Sequence, residues 1–295
     1  MTNRVLPSDE VREALSSGIP VVALETSVLA QGLPDPWNRQ AAEGMDQAIR
    51  ETGAIPAWTW VGDGKVRIGA GPEDLDPLLE GRAMKVARRD MPPVLASGEL
   101  GATTVSALLW AASRAGIEVA ATGGIGGIHP GSGDVSPDLV ELGRTPGTLV
   151  CSGPKSILDP AATLERLEEL GVGVLGYRCE RLPFFVVREA PLALEHRAEE
   201  PSAVAAVAAA RGDLQVASTL LVCNPCPPEY ALPADRVARA VARCLERTAD
   251  ARGKEVTPLL LSCLAEETGG DSLRANLALL ESNAALAARV AAALV

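Results

Sequence analysis

Short β-branched runs alternate with longer Ala- and Leu-rich stretches along most of this chain. Such alternation drives a chain toward a layered α/β sheet, because each strand must bury its faces against helices. Residues 20–24 (PVVAL) read as a strand that ends at Glu25, and residues 37–52 as a helix closed by Gly53. A second strand over 55–61 is followed by a Gly-Asp-Gly turn and a return over 65–69. A helix over 103–115 stops at Gly116, and a strand over 118–122 runs into the glycine loop 123–127. The strand 148–152 leads through Gly153, Pro154 and Lys155 to a helix reaching Leu170. Strands over 172–177 and 214–223 precede a helical tail at 235–252, 256–267 and 272–293. The expectation is one three-layer α/β/α domain over residues 1–295 with a central mixed sheet.

Apolar residues make up 47% of the 295, enough for a large core, so predominant disorder is excluded. With two Phe, two Tyr and four Trp, that core has to be built from Ala, Val and Leu. A net charge of −11 argues against nucleic acid as a partner, since a phosphate backbone wants a basic stripe. An anionic small molecule stays open, because a few placed cations and helix N-termini can hold a phosphate. No run of about 18 uninterrupted apolar residues appears, so no membrane span is expected. Residues 1–10 lack the basic start and apolar run of a secretory leader. Six scattered cysteines read as buried reduced thiols, and a cytoplasmic chain is expected.

Ligands of open α/β sheets gather beyond the carboxyl ends of strands, and four such loops here hold unusual residues. Glu25 closes an apolar strand, where a partly desolvated carboxylate suits proton transfer or simply caps the next helix. Residues 101–106 (GATTVS) set glycine and hydroxyls at a helix start, an anion cradle or an N-cap. The third loop carries four glycines, then His129, Asp134, Ser136 and Asp138; T-G-G-I-G-G lacks the dinucleotide spacing. His129, Asp134 and Asp138 could serve a hard divalent cation, or Ser136 or Asp134 could cap the following helix. The fourth loop holds Lys155 beside Gly153 and Pro154. Only four of the 27 basic residues are lysines (65, 85, 155 and 254), and only lysine can act as an amine nucleophile. Lys155 suits Schiff-base chemistry at a sugar carbonyl carbon, with a phosphate-binding cation as the alternative. Lys85, with Arg88 and Arg89 near it, is the natural phosphate ligand. Cys223 and Cys226 form a C-x-x-C set in a proline turn, with no second pair or His cluster to complete a zinc site.

The blocks ALETSVLAQGLP (23–34), IPAWTWVGDGKVRIG (55–69), GATTVSA (101–107) and ATGGIGGIH (121–129) occur in order. They are followed by DVSPDLVEL (134–142), TPGTLVCSGPKSILD (145–159), TPLLL (257–261) and TGGDSLRANLALLESNAALAA (268–288). Over about residues 9–290 this set resembles the pseudouridine-5′-phosphate glycosidase family, which includes the indigoidine synthase A type proteins. The resemblance implies a cytoplasmic, homotrimeric, manganese-dependent enzyme with a small-molecule substrate. Its reaction would split the C–C glycosidic bond of pseudouridine 5′-phosphate, reversibly, into uracil and ribose 5-phosphate. The family's lysine nucleophile falls on Lys155, its proton donor on Glu25 and its manganese-site aspartate on Asp134. Its substrate contacts fall on Lys85, Val105, His129, Ser136, Pro137, Asp138 and Asn276.

This chain departs from the family at four points, one being a stretch up to Asp134 that is shorter than usual. It reads His129-Pro130-Gly131 where the family has His-Arg-Gly, Pro154 replaces the common Ala, and Trp58 replaces a smaller residue. Two further readings follow. One is a Schiff-base lyase or aldolase acting on another ribosyl phosphate, or on a modified pseudouridine in secondary metabolism. The other is a phosphosugar-binding protein without catalysis, against which stands the joint presence of Glu25, Asp134 and Lys155. No fused sugar kinase is expected within these 295 residues.

Overall fold

The computed structural model describes residues 4–131, 133–248 and 256–295. The chain opens with β1 (Val5–Pro7), α1 (Asp9–Ser16), β2 (Val21–Glu25) and α2 (Trp37–Arg50). A hairpin of β3 (Ile55–Gly62) and β4 (Lys65–Ile68) follows, its turn held by positive φ at Asp63 and Gly64. Next come α3 (Pro72–Leu79), β5 (Met84–Val86), α4 (Met91–Ser97), β6 (Gly101–Thr103) and α5 (Val105–Ala115). The middle of the chain holds β7 (Val119–Ala121), α6 (Pro137–Leu142), β8 (Gly147–Cys151), α7 (Pro160–Glu169) and β9 (Gly173–Tyr177). Then β10 (Arg197–Ala198), α8 (Pro201–Asp213) and β11 (Thr219–Cys223) lead to α9 (Ala234–Arg247), α10 (Val256–Glu267) and α11 (Asp271–Leu294).

The strands form one eleven-stranded mixed sheet in the order β1-β4-β3-β2-β7-β8-β11-β9-β10, with β6 and β5 branching from β3. Strands β2, β7, β8, β11 and β9 run parallel to their neighbours, whereas β3 pairs antiparallel with both β4 and β6. Alternation along each strand splits the interior into two cores. Val22, Leu24, Val150 and Val222 pack on one face beneath α2, α8, α9, α10 and α11. Val21, Ala23, Leu149 and Leu221 pack on the other, beneath α1, α4, α5, α6 and α7. This is the expected three-layer α/β/α arrangement. The side chains filling it are mostly Ala, Val and Leu.

Several sequence readings need correction. The stretch 214–223 is strand only from Thr219, because the Ala-rich α8 runs through Asp213 and ends on the exposed Leu214. The helix expected from 103 starts at Val105, because 101–103 adds a short strand beside β3. The end expected for the helix at 235–252 lies outside the described residues, as does Lys254. Two of the six cysteines are not free thiols: Cys244 of α9 and Cys263 of α10 form a disulfide. Helix α11 is long and apolar enough to cross a membrane, although it carries no unbroken apolar run of that length. Here it serves as a core helix, with its buried face laid on the sheet.

Candidate active site

Glu25 ends β2, Thr122 follows β7, and Lys155 stands four residues past the end of β8. These are adjacent parallel strands, so their carboxyl ends and loops converge on one spot. There a cavity of about 130 Å³ is lined by Glu25, Lys85, Val105, His129, Asp134, Ser136, Pro137, Asp138 and Lys155. A smaller chamber of about 30 Å³ shares Glu25, Lys85 and Lys155 and adds Asn276, Gly123, Phe185 and Gln31. Every site residue expected from the sequence therefore lines one of two joined chambers, with the acid and both lysines common to them.

Glu25 is 4% exposed and fully engaged. Its Oε2 accepts from Ser27 Oγ (2.7 Å) and Val28 N (3.0 Å), and its Oε1 from Thr122 Oγ1 (3.2 Å). This carboxylate holds the backbone of the next turn, as the capping reading expects, and it also lines the cavity. The Lys155 loop is fixed from two sides. Ile125 N donates to Gly153 O (3.1 Å) and Lys155 N to Ile125 O (3.2 Å), so the glycine loop and the lysine loop extend the parallel pairing. Gly153 sits at φ +76, and a Cβ there would overlap the Pro183 carbonyl oxygen, so only glycine fits. Among the described residues the Lys155 amine has no hydrogen-bond or ion-pair partner.

Asp138 has a structural role alongside its place in the wall. Its Oδ1 accepts from Ser106 N and its Oδ2 from Gly126 N, both at 3.0 Å. The first bond occupies an amide of the α5 N-terminus, so the anion cradle expected at 101–106 is in part already filled by a carboxylate. Gly126 has to be glycine, because a Cβ would overlap Ser136 Oγ. Ser136 caps α6 by accepting from Asp138 N (3.2 Å). The two arginines near Lys85 part company. Arg89 lines the cavity, whereas Arg88 turns to Glu141 (2.6 Å), a fully buried carboxylate that Arg144 also reaches.

His129 is 7% exposed, and burial pushes its imidazole below the usual range, helped by the charges of Lys155 and Lys85 and opposed by Asp134. Its Nε2 lies 3.3 Å from Thr257 Oγ1, and its Nδ1 is buried without a partner among the described residues. Among the described residues, no group of three or more His, Cys, Asp or Glu side chains is arranged to hold a metal ion, so the trio His129, Asp134 and Asp138 does not assemble as a cage. Both Asp138 oxygens serve backbone amides, which leaves Asp134 as the cavity's candidate ligand. That fits an ion whose shell is completed by water and an anionic substrate.

Sequence reasoning passed over Ser27, Thr122, Thr257 and Gln31, all of which line the chambers. Ser27 and Thr122 were detectable as hydroxyls beside Glu25 and the glycine loop. Thr257 and Gln31 carry no local signal, since only packing brings them here.

A family model for the indigoidine synthase A-like proteins matches residues 10–293. The chain belongs to that family. A pseudouridine-5′-phosphate glycosidase of Symbiobacterium thermophilum is 45% identical, covering 97% of this chain and 96% of its own length. One of Gemmatimonas aurantiaca is 46% identical, covering 100% and 99%. Among solved structures, the indigoidine synthase A-like protein of Thermotoga maritima superposes with a TM-score of 0.91 at 39% identity, covering 97% and 94%. The prealnumycin C-glycosynthase AlnA, in complex with ribulose 5-phosphate, gives 0.91 at 36% identity, covering 100% and 98%.

Proposed function

We propose that this chain reversibly cleaves the C–C glycosidic bond of pseudouridine 5′-phosphate to uracil and ribose 5-phosphate. The observation that carries the reading is Glu25 and Lys155 opening onto one cavity beside the cations Lys85 and Arg89. Lys85 and Arg89 attract the substrate phosphate. A C-nucleoside has no nitrogen leaving group, so the sugar has to be opened before the base can depart. The Lys155 amine forms a bond to C1′ while the C1′–O4′ bond breaks and Glu25 delivers a proton to O4′. The adduct nitrogen then expels the base. Glu25, now a carboxylate, takes a proton from that nitrogen; the C1′–C5 bond breaks, C5 takes the same proton back from Glu25, and a protonated C1′=N Schiff base remains on Lys155. Water hydrolyses it to ribose 5-phosphate and the free lysine. His129, Ser136 and Asn276 orient the substrate. Manganese at Asp134 would supply positive charge to the substrate's anionic oxygens.

The test is uracil release from pseudouridine 5′-phosphate by the purified protein, with and without Mn²⁺. Metal-dependent release is expected, together with at least a ~10³-fold loss in both Lys155→Ala and Lys155→Arg. Robust turnover in Lys155→Arg would overturn the Schiff-base role. The AlnA relative favours a second reading, chemistry at the same lysine with another pentose phosphate. Borohydride trapping in parallel reactions with ribulose 5-phosphate and ribose 5-phosphate, read by the yield of the modified Lys155 peptide in each because the isomers add the same mass, separates the two. The proposal includes a cytoplasmic homotrimer, checked by a solution mass near three times the 30.5 kDa of one chain.

A further inference from the structure

Asn283 stands on the apolar, sheet-facing side of α11 with no exposed surface. A buried amide is costly unless its donors and acceptor are all used, and here they are. Its Nδ2 donates to Thr122 O (2.9 Å) and Ser152 Oγ (3.1 Å), with Gly123 O at 3.4 Å. Its Oδ1 accepts from Asn224 Nδ2 (2.9 Å).

Thr122, Ser152 and Asn224 each directly follow a strand, and β7, β8 and β11 are successive neighbours in the sheet. One side chain thus ties three strand ends together. Two of those ends carry the chemistry. Thr122 Oγ1 donates to Glu25 Oε1 (3.2 Å), and Ser152 leads directly into the loop that presents Lys155. Ser152 N also donates to Gly123 O (2.8 Å), so the two ends are already coupled through their backbones.

We propose that Asn283 is a positioning residue, which sets the separation of Glu25 and Lys155 by pinning the ends of β7 and β8. The proposal rests on the glycosidase reading above. Asparagine is suited to the task because it donates and accepts at once. Leucine keeps the same branched four-atom skeleton, with bulkier methyl ends, and offers neither function. Aspartate matches its shape but would turn an acceptor onto the Thr122 carbonyl.

The test measures uracil release by the metal-loaded full-length protein for wild type, Asn283→Leu, Asn283→Asp, Thr122→Val and the double variant Asn283→Leu/Thr122→Val. Displacing a reacting group by about 1 Å costs up to ~10²-fold. Asn283→Leu is therefore expected to lower kcat roughly 10–100-fold with KM within about twofold, assayed well below its melting temperature. Asn283→Asp should lose at least as much. The double variant should be little slower than the worse single variant, since both act on one chain of contacts. If Asn283 only packs α11, Tm falls while kcat below the melting temperature stays within about twofold, and the proposal is overturned. Fully multiplicative losses, or a rise in KM alone, overturn it too. Should Asn283→Leu prove insoluble, Asn224→Ala loosens the same amide from its other side. It is expected to lower kcat by ~3–10-fold, and an unchanged kcat there decides against the proposal. An inactive wild type would count against the glycosidase reading instead, so the two failures are distinct.

Discussion

At the scale of the residue, the site depends on positions where one atom more does not fit. Gly153 combines a left-handed backbone with the Pro183 carbonyl lying where a Cβ would be. Gly153→Ala is expected to destabilise the protein by about 1–2 kcal/mol from the backbone alone. It should also lower activity more than stability, because the loop it distorts presents Lys155. Urea unfolding and a turnover assay on the same variant measure both. The cysteines show the opposite case, in which a suggestive pattern is chemically quiet. Burial pushes the Cys226 thiol up to about 12, and a hydrogen bond with Cys151 together with burial raises Cys223. Neither is a thiolate at neutral pH, so the C-x-x-C set is packing.

At the scale of the element, helices α2 and α11 pack against each other with the Glu281 side chain of α11 lying over Gly44 of α2, in the space a Cβ would take. Burial raises Glu281 above its ordinary 4.5. The folded state therefore holds a proton that the unfolded state has released, and stability falls as pH rises from about 4.5 through the folded value. Glu281→Gln removes that loss. It is expected to raise Tm at pH 7 and to leave it unchanged below about pH 4.5, as scanning calorimetry across pH would record. An equal gain at both pH values would mean that packing, not charge, sets the effect.

At the scale of the whole molecule, two cores lie on opposite faces of one sheet, and β2, β7, β8 and β11 contribute side chains to both. Shared strands couple the cores, so residues 1–295 are expected to unfold as one domain. Calorimetry of the intact protein should give a single transition whose calorimetric and van't Hoff enthalpies agree. Two resolved transitions would divide the chain into separate units. Removing α11 should abolish the cooperative transition, because that helix buries Leu279, Leu280, Leu286 and Val290 in the larger core.

Much of this was legible along the chain, and the reason is locality. Alternating β-branched and Ala-rich runs determine strands and helices through backbone sterics and hydrophobic period. Thus the strand ending at Glu25, the strand leading to the Lys155 loop, the β3–β4 hairpin and α10 fall close to where their residues predict. The strand read over 214–223 starts too early, because 214–218 only links the end of α8 to Thr219, the first residue that pairs with β8. The four loops were recognisable as candidate sites because each carries its own polar residues, and their residues line the two chambers. What the local pattern left open was which strands lie side by side. Strand order brings Glu25 next to Thr122 and the Lys155 loop. The packing of helices on the sheet turns Arg88 to Glu141 while Arg89 stays at the cavity, and commits both Asp138 oxygens to amides from two other segments. It also sets Asn283, some 130 residues or more from Ser152 and Thr122 along the chain, against both. Those contacts are long-range hydrogen bonds whose free energy appears only after both cores have formed, so no window of sequence contains them.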